Sequence, residues 1–218
     1  MSSDDDTIRV LLVDDDPIVR AALESYLAPA PDMLVVGSLS DGRQAVEADL
    51  SEVDVVVMDV RMPELNGLEA ARQLREGTDS RPRVLLLTSF DEEALAREAI
   101  VAQASGLLLK TATPKAILEA VRAVHHGATV FSDEPLTRLI SADRRAVSEP
   151  PPHLRLNRRE QEILELLAQA YSNAEIAEQL FLSESTVKTY VSSLMAQLGV
   201  DSRLKAVVRA FEWNLVER

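Results

Sequence analysis

The sequence predicts two domains, an α/β domain with a five-stranded parallel sheet followed by a small all-α domain. Five short apolar runs, each without polar alternation, recur in the first 131 residues and are separated by segments of helical period. The segment SEPPPH, residues 148–153, then interrupts the periodicity, and the pattern after it is helical throughout. A chain of 218 residues is long enough to bury two cores.

The five apolar runs are the predicted strands. Strands that are covered by helices on both faces read as continuous apolar stretches, which is typical of parallel sheets. The runs are IRVLLV (8–13), MLVVG (33–37), VDVVVM (53–58), RVLLL (83–87) and GLLL (106–109).

Capping residues mark the predicted helices of this domain. Asp16 and Thr113 each offer a capping oxygen followed by proline, and Asp91 precedes another helical segment. His125 and His126, before Gly127, fit the end of the fifth helix. We do not predict a metal site at the two histidines, because neighbours on a helix point in different directions.

A proline-rich break in the helical pattern sets the predicted boundary between the two domains. Three consecutive prolines cannot continue a helix and favour a semi-extended linker. We predict an acidic tail over 1–7, the α/β domain over 8–131, the linker over 132–155 and the all-α domain over 156–218.

Composition and charge exclude several classes of protein. The chain has no cysteine, so disulfides and thiolate chemistry are excluded. The acidic start MSSDDD does not resemble a secretory signal, and no apolar run has membrane-spanning length, so a soluble cytoplasmic protein is expected. Of the net charge of −13, residues 1–131 carry −11 and residues 156–218 carry −2. The net charge argues against a general nucleic-acid coat, and nearly all of the acidic excess lies in the first part of the chain.

Polar side chains follow four of the predicted strands, where each strand ends. They are Asp14, Asp15, Asp59, Thr88 and Lys110. Parallel strands joined by right-handed crossovers end at the same edge of the sheet, so these groups are expected to converge there. Neighbouring carboxylates repel unless a cation lies among them, and Mg²⁺ is the natural candidate. A carboxylate can attack phosphorus, while a hydroxyl and an ammonium can hold phosphoryl oxygens.

With these motifs, residues 8 to about 127 resemble a bacterial response-regulator receiver domain. The resemblance rests on Asp14-Asp15, MDVRMPELNG, LLLTSFDEE and ASGLLLK. It implies a flavodoxin-like sheet of order 2-1-3-4-5, with Asp59 as acceptor of a phosphoryl group from a sensor histidine kinase. It also implies Mg²⁺ bound directly by Asp15, Asp59 and the Arg61 carbonyl and through water by Asp14, with Thr88 and Lys110 on the phosphoryl oxygens.

Two alternatives to a phosphorylated receiver remain at this point. The family usually has an aromatic switch residue where this chain has Leu107, which leaves open a receiver that works without phosphorylation. A phosphatase of the haloacid dehalogenase type also uses an aspartate nucleophile, but it normally has a second aspartate where this chain has Arg61. We therefore expect a regulator, not an enzyme.

The all-α domain contains a predicted helix-turn-helix. Asn157 and Glu160 have the spacing of a capping box, SNAEIAEQL is a second helix, and a third begins after Ser183 and ends at Gly199. Such a pair of helices around a tight turn can place its second member in the DNA major groove. A plain helical bundle or protein-docking module is the alternative.

The segments RRE, SNAEIA, STVKTYVSSL and LGV of this domain resemble the LuxR-type helix-turn-helix. With the receiver in front, the chain is identified as similar to NarL/FixJ-type transcription factors, with promoter DNA as partner and RNA polymerase as a further candidate. The resemblance implies base contacts from Lys188, Thr189 and Ser192. It implies phosphate or turn contacts from Ser183, Ser185, Thr186 and Tyr190, although simple helix capping is an equal alternative for Ser185 and Thr186.

Several positions depart from the LuxR-type pattern. Ala170 stands in place of a helix-ending glycine, Tyr190 in place of a common histidine, and Ser193 and Gln197 where basic residues are frequent. Weaker phosphate attraction is expected, so a homodimer holding two half-sites would compensate. The closing helix, with Trp213, has enough apolar residues to complete the core or to form the dimer contact.

Overall fold

The computed structural model describes residues 7–75, 82–89, 93–131, 150–151, 154–169 and 171–216. The chain forms two compact units. The first contains the described residues up to His125 and a strand at 130–131, and the second contains the C-terminal helices. Most of the predicted linker and of the acidic tail lies outside the described residues, so those boundaries stay predictions.

The first unit contains a parallel sheet of six strands in the order β2-β1-β3-β4-β5-β6. The strands are β1 (Ile8–Val13), β2 (Met33–Leu39), β3 (Val55–Asp59), β4 (Arg83–Thr88), β5 (Gly106–Leu109) and β6 (Val130–Phe131). The predicted order of the first five is confirmed. The prediction of five strands is wrong in one respect, because β6 pairs with β5 along Gly106 and Leu107. A strand of two residues is too short to produce a periodic signal.

Helices cover both faces of this sheet, as the continuous apolar runs predicted. They are α1 (Pro17–Leu27), α2 (Gly42–Glu47), α3 (Gly67–Arg75), α4 (Glu93–Val101) and α5 (Pro114–His125). The side chain of Asp16 caps α1 by accepting from the N–H of Ile18 at 2.8 Å, and Thr113 caps α5. Asp91 lies outside the described residues. Val55 to Met58 are fully buried, which fixes β3 at the centre of the core.

A bidentate ion pair joins α5 to the loop before β2. The guanidinium of Arg122 donates to both carboxylate oxygens of Asp32, at 2.6 and 2.9 Å. The two residues are 90 positions apart in sequence, so the pair forms only when α5 packs beside the start of β2. The Arg122–Asp32 ion pair is therefore present only when the first unit has its folded tertiary structure.

Replacing Asp32 with asparagine should remove a pH-dependent part of the stability of this unit. The hydrogen bond from Arg122 holds the pKa of Asp32 below its usual value. The stabilisation is therefore fully present above the unfolded pKa of about 4 and is lost as pH falls through the lower folded pKa. Since both side chains are more than a third exposed, we expect at most about 1 kcal/mol.

Urea unfolding of both proteins at about pH 7 and about pH 3 measures this effect. The free energies of unfolding should differ near neutrality and converge in acid. A difference that stays constant with pH would contradict the assignment.

The second unit consists of helices around its own core. They are α6 (Arg158–Ala168), α7 (Asn173–Leu180), α8 (Glu184–Leu198) and α9 (Arg203–Glu212). The predicted capping box of Asn157 and Glu160 is present, and a second one opens α7 at Ser172. Gly199 ends α8 with a φ of 67°, a backbone conformation that suits glycine.

The core of the second unit is apolar and draws on all four of its described helices. Trp213 is 9 % exposed within this core, with the Arg209 guanidinium 5.0 Å from the ring centre. Trp213 therefore fills the core, which was one of its two predicted roles. Leu154 also packs on the core, although the sequence placed it in the linker. Among the described helices, none combines the length and the apolar character needed to cross a membrane.

Candidate functional sites

Three carboxylates meet at the carboxyl edge of the sheet in the first unit. Asp14 and Asp15 follow β1, and Asp59 is the last residue of the neighbouring strand β3. One oxygen from each of the three side chains lies within 4.8 Å of the others. Asp14 and Asp59 are buried, whereas Asp15 is exposed. Three hard oxygen donors at this separation form a set that suits a small divalent cation such as Mg²⁺.

Lys110 lies between two of these carboxylates. Its ammonium nitrogen is 2.6 Å from Asp14 Oδ2 and 3.0 Å from Asp59 Oδ2. The backbone places it there, because the N–H of Lys110 donates to the carbonyl of Thr88 at 2.7 Å. The structure therefore brings Lys110 together with Asp14 and Asp59, as expected from their positions at the strand ends.

The electrostatics of the site reflect its burial. Burial raises the pKa of Asp59 and the charge of Asp14 raises it further, while Lys110 and the N–H of Arg61 counteract part of this. Burial lowers the pKa of Lys110, but hydrogen bonds to Asp14 and Asp59 outweigh this, so the net shift is upward. Lys110 therefore stays charged in the site, and its charge does not fully offset the effect of burial on the pKa of Asp59.

Asp14 is held by its neighbours. Its Oδ1 accepts from the backbone N–H of Asp16 at 3.0 Å, while Oδ2 faces Lys110. The guanidinium of Arg20, on α1, donates to the Asp14 carbonyl. Oδ1 of Asp14 thus accepts a hydrogen bond, and Oδ2 has an ion-pair partner in Lys110. The role of Asp14 as a metal ligand through water stays a prediction. The sequence reasoning missed Arg20, although its position one turn into α1 could have suggested it.

Thr88 and Arg61 flank the carboxylates. Thr88 is the last residue of β4 and is 2 % exposed, and β4 pairs with β3 so that Leu87 lies opposite Asp59. Thr88 therefore lies one position further along the same edge. Arg61 follows β3, and its N–H hydrogen-bonds the Asp59 carboxylate. The roles of Thr88 as a phosphoryl ligand and of the Arg61 carbonyl as a metal ligand stay predictions.

Leu107 occupies a buried place in the sheet. It is 2 % exposed and pairs with Leu86 on one side and with Phe131 of β6 on the other. Leu107 therefore cannot serve as the aromatic switch residue that is usual in the family. An aromatic residue, Phe131, lies beside it on the adjacent strand β6. Only the pairing with β6 reveals this neighbour.

The helix-turn-helix in the second unit consists of α7, a three-residue turn and α8. Phe181 starts the turn with a φ of 54°, a left-handed conformation, and is 96 % exposed. Ser183 ends it by capping α8, accepting from the N–H of Thr186 at 3.1 Å. Val187, Val191 and Leu194 face the core, which leaves the opposite face of α8 in solvent.

Hydroxyl groups at the start of α8 bond to one another. The Ser183 hydroxyl lies 2.8 Å from that of Ser185 and 2.7 Å from that of Thr186. This arrangement supports the capping alternative for Ser185 and Thr186. Tyr190 is partly buried against the core, so its ring contributes to packing.

The other predicted DNA contacts lie on the exposed face of α8. The hydroxyls of Thr189 and Ser192 donate to the carbonyls of Ser185 and Lys188, each at 3.0 Å. The Lys188 ammonium lies 2.9 Å from the carboxylate of Glu184, one turn earlier. The sequence reasoning missed Glu184, although the four-residue spacing from Lys188 is a readable signal for a helical ion pair.

Gln197, near the end of α8, forms a hydrogen bond with a residue of α6. Its amide donates to Glu160 Oε1 at 2.6 Å, while Glu160 Oε2 accepts from the N–H of Asn157 at 2.9 Å. A basic side chain at this position would lie near the buried carboxylate of Glu160. The weaker phosphate attraction expected from Gln197 stays a prediction. Ala170, another departure, lies outside the described residues.

Comparisons with known proteins agree with this geometry. Residues 10–122 match the model of the response regulator receiver domain, and residues 154–210 match that of bacterial regulatory proteins of the luxR family. A regulatory receiver joined to a helix-turn-helix defines a class of signal-responsive DNA-binding proteins. The chain belongs to the two-component response regulators with a LuxR-type DNA-binding domain, a family of regulators and not of enzymes. The haloacid dehalogenase alternative is thereby set aside.

Two relatives match over nearly the full chain, and a solved receiver domain matches over about half of it. The response regulator VraR of Staphylococcus aureus is 37 % identical over 212 residues, which is 97 % of this chain and all of VraR. The crystal structure of ChrA, the response regulator of a heme-sensing two-component system, is 38 % identical with a TM-score of 0.54, covering 96 % of this chain and 99 % of ChrA. The receiver of a NarL from Mycobacterium tuberculosis is 33 % identical with a TM-score of 0.53, covering 56 % of this chain and 98 % of that receiver.

Proposed function

We propose that Asp59 is the phosphoacceptor of this regulator and that a sensor histidine kinase supplies the phosphoryl group. The convergence of Asp14, Asp15, Asp59 and Lys110 at one sheet edge is the observation that carries the proposal. A carboxylate oxygen of Asp59 attacks phosphorus, the bond from phosphorus to the donor nitrogen breaks, and an aspartyl phosphate forms.

Mg²⁺ fits the site and would offset charge on the phosphoryl oxygens when bound. In this proposal Asp15, Asp59 and the Arg61 carbonyl hold it directly, and Asp14 through water. Lys110, which in the free protein lies on Asp14 and Asp59, would exchange its contact with Asp59 for one with a phosphoryl oxygen. Thr88 would donate its hydroxyl to a second phosphoryl oxygen.

Phosphorylation acts by shifting a conformational equilibrium. The modification adds roughly −1.5 to −2 charge at a buried edge, and the conformation that best satisfies this charge becomes more populated. We propose that the populated conformation favours a homodimer, which holds two DNA half-sites at once. RNA polymerase at the same promoters is a further partner in this proposal.

Contacts with DNA come from the exposed face of α8 in this proposal. Lys188, Thr189 and Ser192 lie on that face and would reach base edges, while Ser183, Ser185, Thr186 and Tyr190 would contact phosphates or shape the turn. The support is that the second helix of a helix-turn-helix lies in the major groove, and α8 is that helix here.

Incubation with acetyl phosphate and Mg²⁺, followed by intact-mass measurement, tests the proposal. We expect the mass of one phosphoryl group on the wild-type protein and none on Asp59→Asn. Binding of promoter DNA, measured in parallel, should tighten with the phosphoryl donor for the wild type only. The proposal fails if Asp59→Asn keeps the same dependence on the donor.

A regulator that works without phosphorylation is the second candidate. The buried Leu107, in place of the usual aromatic switch, is the observation that favours it. In that case the wild type would incorporate no phosphoryl group, or would incorporate it without any change in DNA affinity. The intact-mass and DNA-binding measurements together distinguish the two candidates.

A further inference from the structure

Charge on α8 is confined to a single ion pair. Among the 15 residues of this helix, the charged ones are Glu184 and Lys188. Their oxygen and nitrogen atoms are 2.9 Å apart, and their side chains are 45 % and 60 % exposed. The helix that is proposed to enter the major groove therefore contributes no net charge, and its only cation is already held by a carboxylate.

The other polar groups on this face are weaker hydrogen-bonding partners. Thr189 and Ser192 donate their hydroxyl hydrogens to carbonyls of their own helix, and Ser183, Ser185 and Thr186 bond among themselves. The Glu184 carboxylate is thus the strongest acceptor on the exposed face of α8. It lies in the first turn, and residues in the first turns of a recognition helix are those that contact base edges.

The two charges match a pair of complementary groups on DNA bases. A lysine ammonium donates to guanine O6 and N7, while a carboxylate accepts from the N4 amine of cytosine. Side chains four residues apart on a helix are about 5–6 Å apart at Cβ. Flexible side chains at this distance can reach neighbouring base pairs, which are stacked about 3.4 Å apart. A carboxylate also repels phosphates, which weakens binding that depends on the backbone alone.

We propose that Glu184 is a specificity-determining residue that accepts a hydrogen bond from the N4 amine of a cytosine, beside a guanine held by Lys188. The inference rests on the proposed role of α8 in reading DNA. It predicts that the operator half-site contains a cytosine and a guanine in neighbouring base pairs, on the same strand or on opposite strands.

The test uses the full-length protein and a DNA site selected from a random library. Affinity is measured for the wild type, Glu184→Gln and Lys188→Ala against every single-base variant of the site. Glu165→Gln, an exposed glutamate on α6, is the matched control. Thermal unfolding of each variant shows whether the fold is kept.

We expect Glu184→Gln to lose about tenfold discrimination at one cytosine position, because a good base contact is worth about one order of magnitude or more in affinity. Preferences at the other positions and those of Glu165→Gln should be unchanged. A uniform gain in affinity for every sequence, without a change in preference, would overturn the inference and leave Glu184 as a partner of Lys188 only. If Lys188→Ala also keeps every preference, the proposed DNA-reading role of α8 itself fails.

Discussion

Alanine in place of Gly67 should abolish the proposed phosphoacceptor site at Asp59 and destabilise the first domain by about 3 kcal/mol. A Cβ at Gly67 would lie 2.0 Å from the carbonyl oxygen of Asp59 and 3.0 Å from its carbonyl carbon. Backbone atoms of a central strand cannot yield as the end of a side chain can. The segment from Val60 to Asn66 would therefore be displaced, together with the Asp59 backbone.

Gly67 has a second function at this point in the fold. Its N–H donates to the carbonyl of Val60 at 2.9 Å, which closes the loop between β3 and α3 directly behind Asp59. Displacing the loop would break this hydrogen bond and move Arg61, whose N–H hydrogen-bonds the Asp59 carboxylate. Loss of phosphorylation is thus expected even at temperatures where the variant stays folded.

Urea unfolding and phosphoryl incorporation measure the two effects, and Gly37→Ala is the matched control. A Cβ at Gly37 would meet only the Cδ1 atom at the end of the Leu11 side chain, at 2.9 Å, and this group can rotate away. We expect a small effect at Gly37 and a large one at Gly67. If the two variants are equally stable, the close contact of a Cβ at position 67 with the Asp59 carbonyl does not destabilise the domain as predicted.

Methionine in place of Lys110 should cost about 3 kcal/mol of stability when Mg²⁺ is absent. The lysine is the cation between Asp14 and Asp59, which are 1 % and 7 % exposed at their side chains. Removing it leaves two buried carboxylates to repel each other, and breaking a buried charge pair on one side is costly. Burial already raises the pKa of Asp59, which means that the fold disfavours its charged form. Removing Lys110 would disfavour that form further.

Mg²⁺ should restore much of the stability of Lys110→Met, because an ion that binds the folded state stabilises it. Thermal unfolding with chelator and with increasing Mg²⁺ measures this, and a larger increase in Tm is expected for the variant than for the wild type. Lys115→Met is the control, since the Lys115 side chain is 85 % exposed and pairs with Glu119 on the surface of α5. An equal response to Mg²⁺ in all three proteins would mean that Lys110 does not compensate the same charges as the ion.

Local signals in the sequence predicted most of the elements. Apolar runs gave the positions of β1 to β5, and the oxygen of Asp16 before Pro17 gave the start of α1. The capping box of Asn157 and Glu160 gave the start of α6. These predictions succeeded because burial periodicity and caps depend on residues a few positions apart.

Two features of the fold were not predictable in this way. The short strand β6 has no period of its own and exists because it pairs with β5. The amide of Gln197 is 37 positions from Glu160, and only packing of α8 on α6 brings them to 2.6 Å. The sequence indicated only that a basic residue is frequent at this position and did not reveal the hydrogen bond to Glu160.

The sequence alone determined which chemical groups stand at the strand ends and on the last helices, because strand direction and helical spacing are properties of a short stretch of chain. Only the tertiary structure decided that Lys110 lies between Asp14 and Asp59 and that Gly67 touches the Asp59 carbonyl. The physical reason is that distances between separate strands and loops depend on how side chains fill the space between them, which requires the whole packed domain.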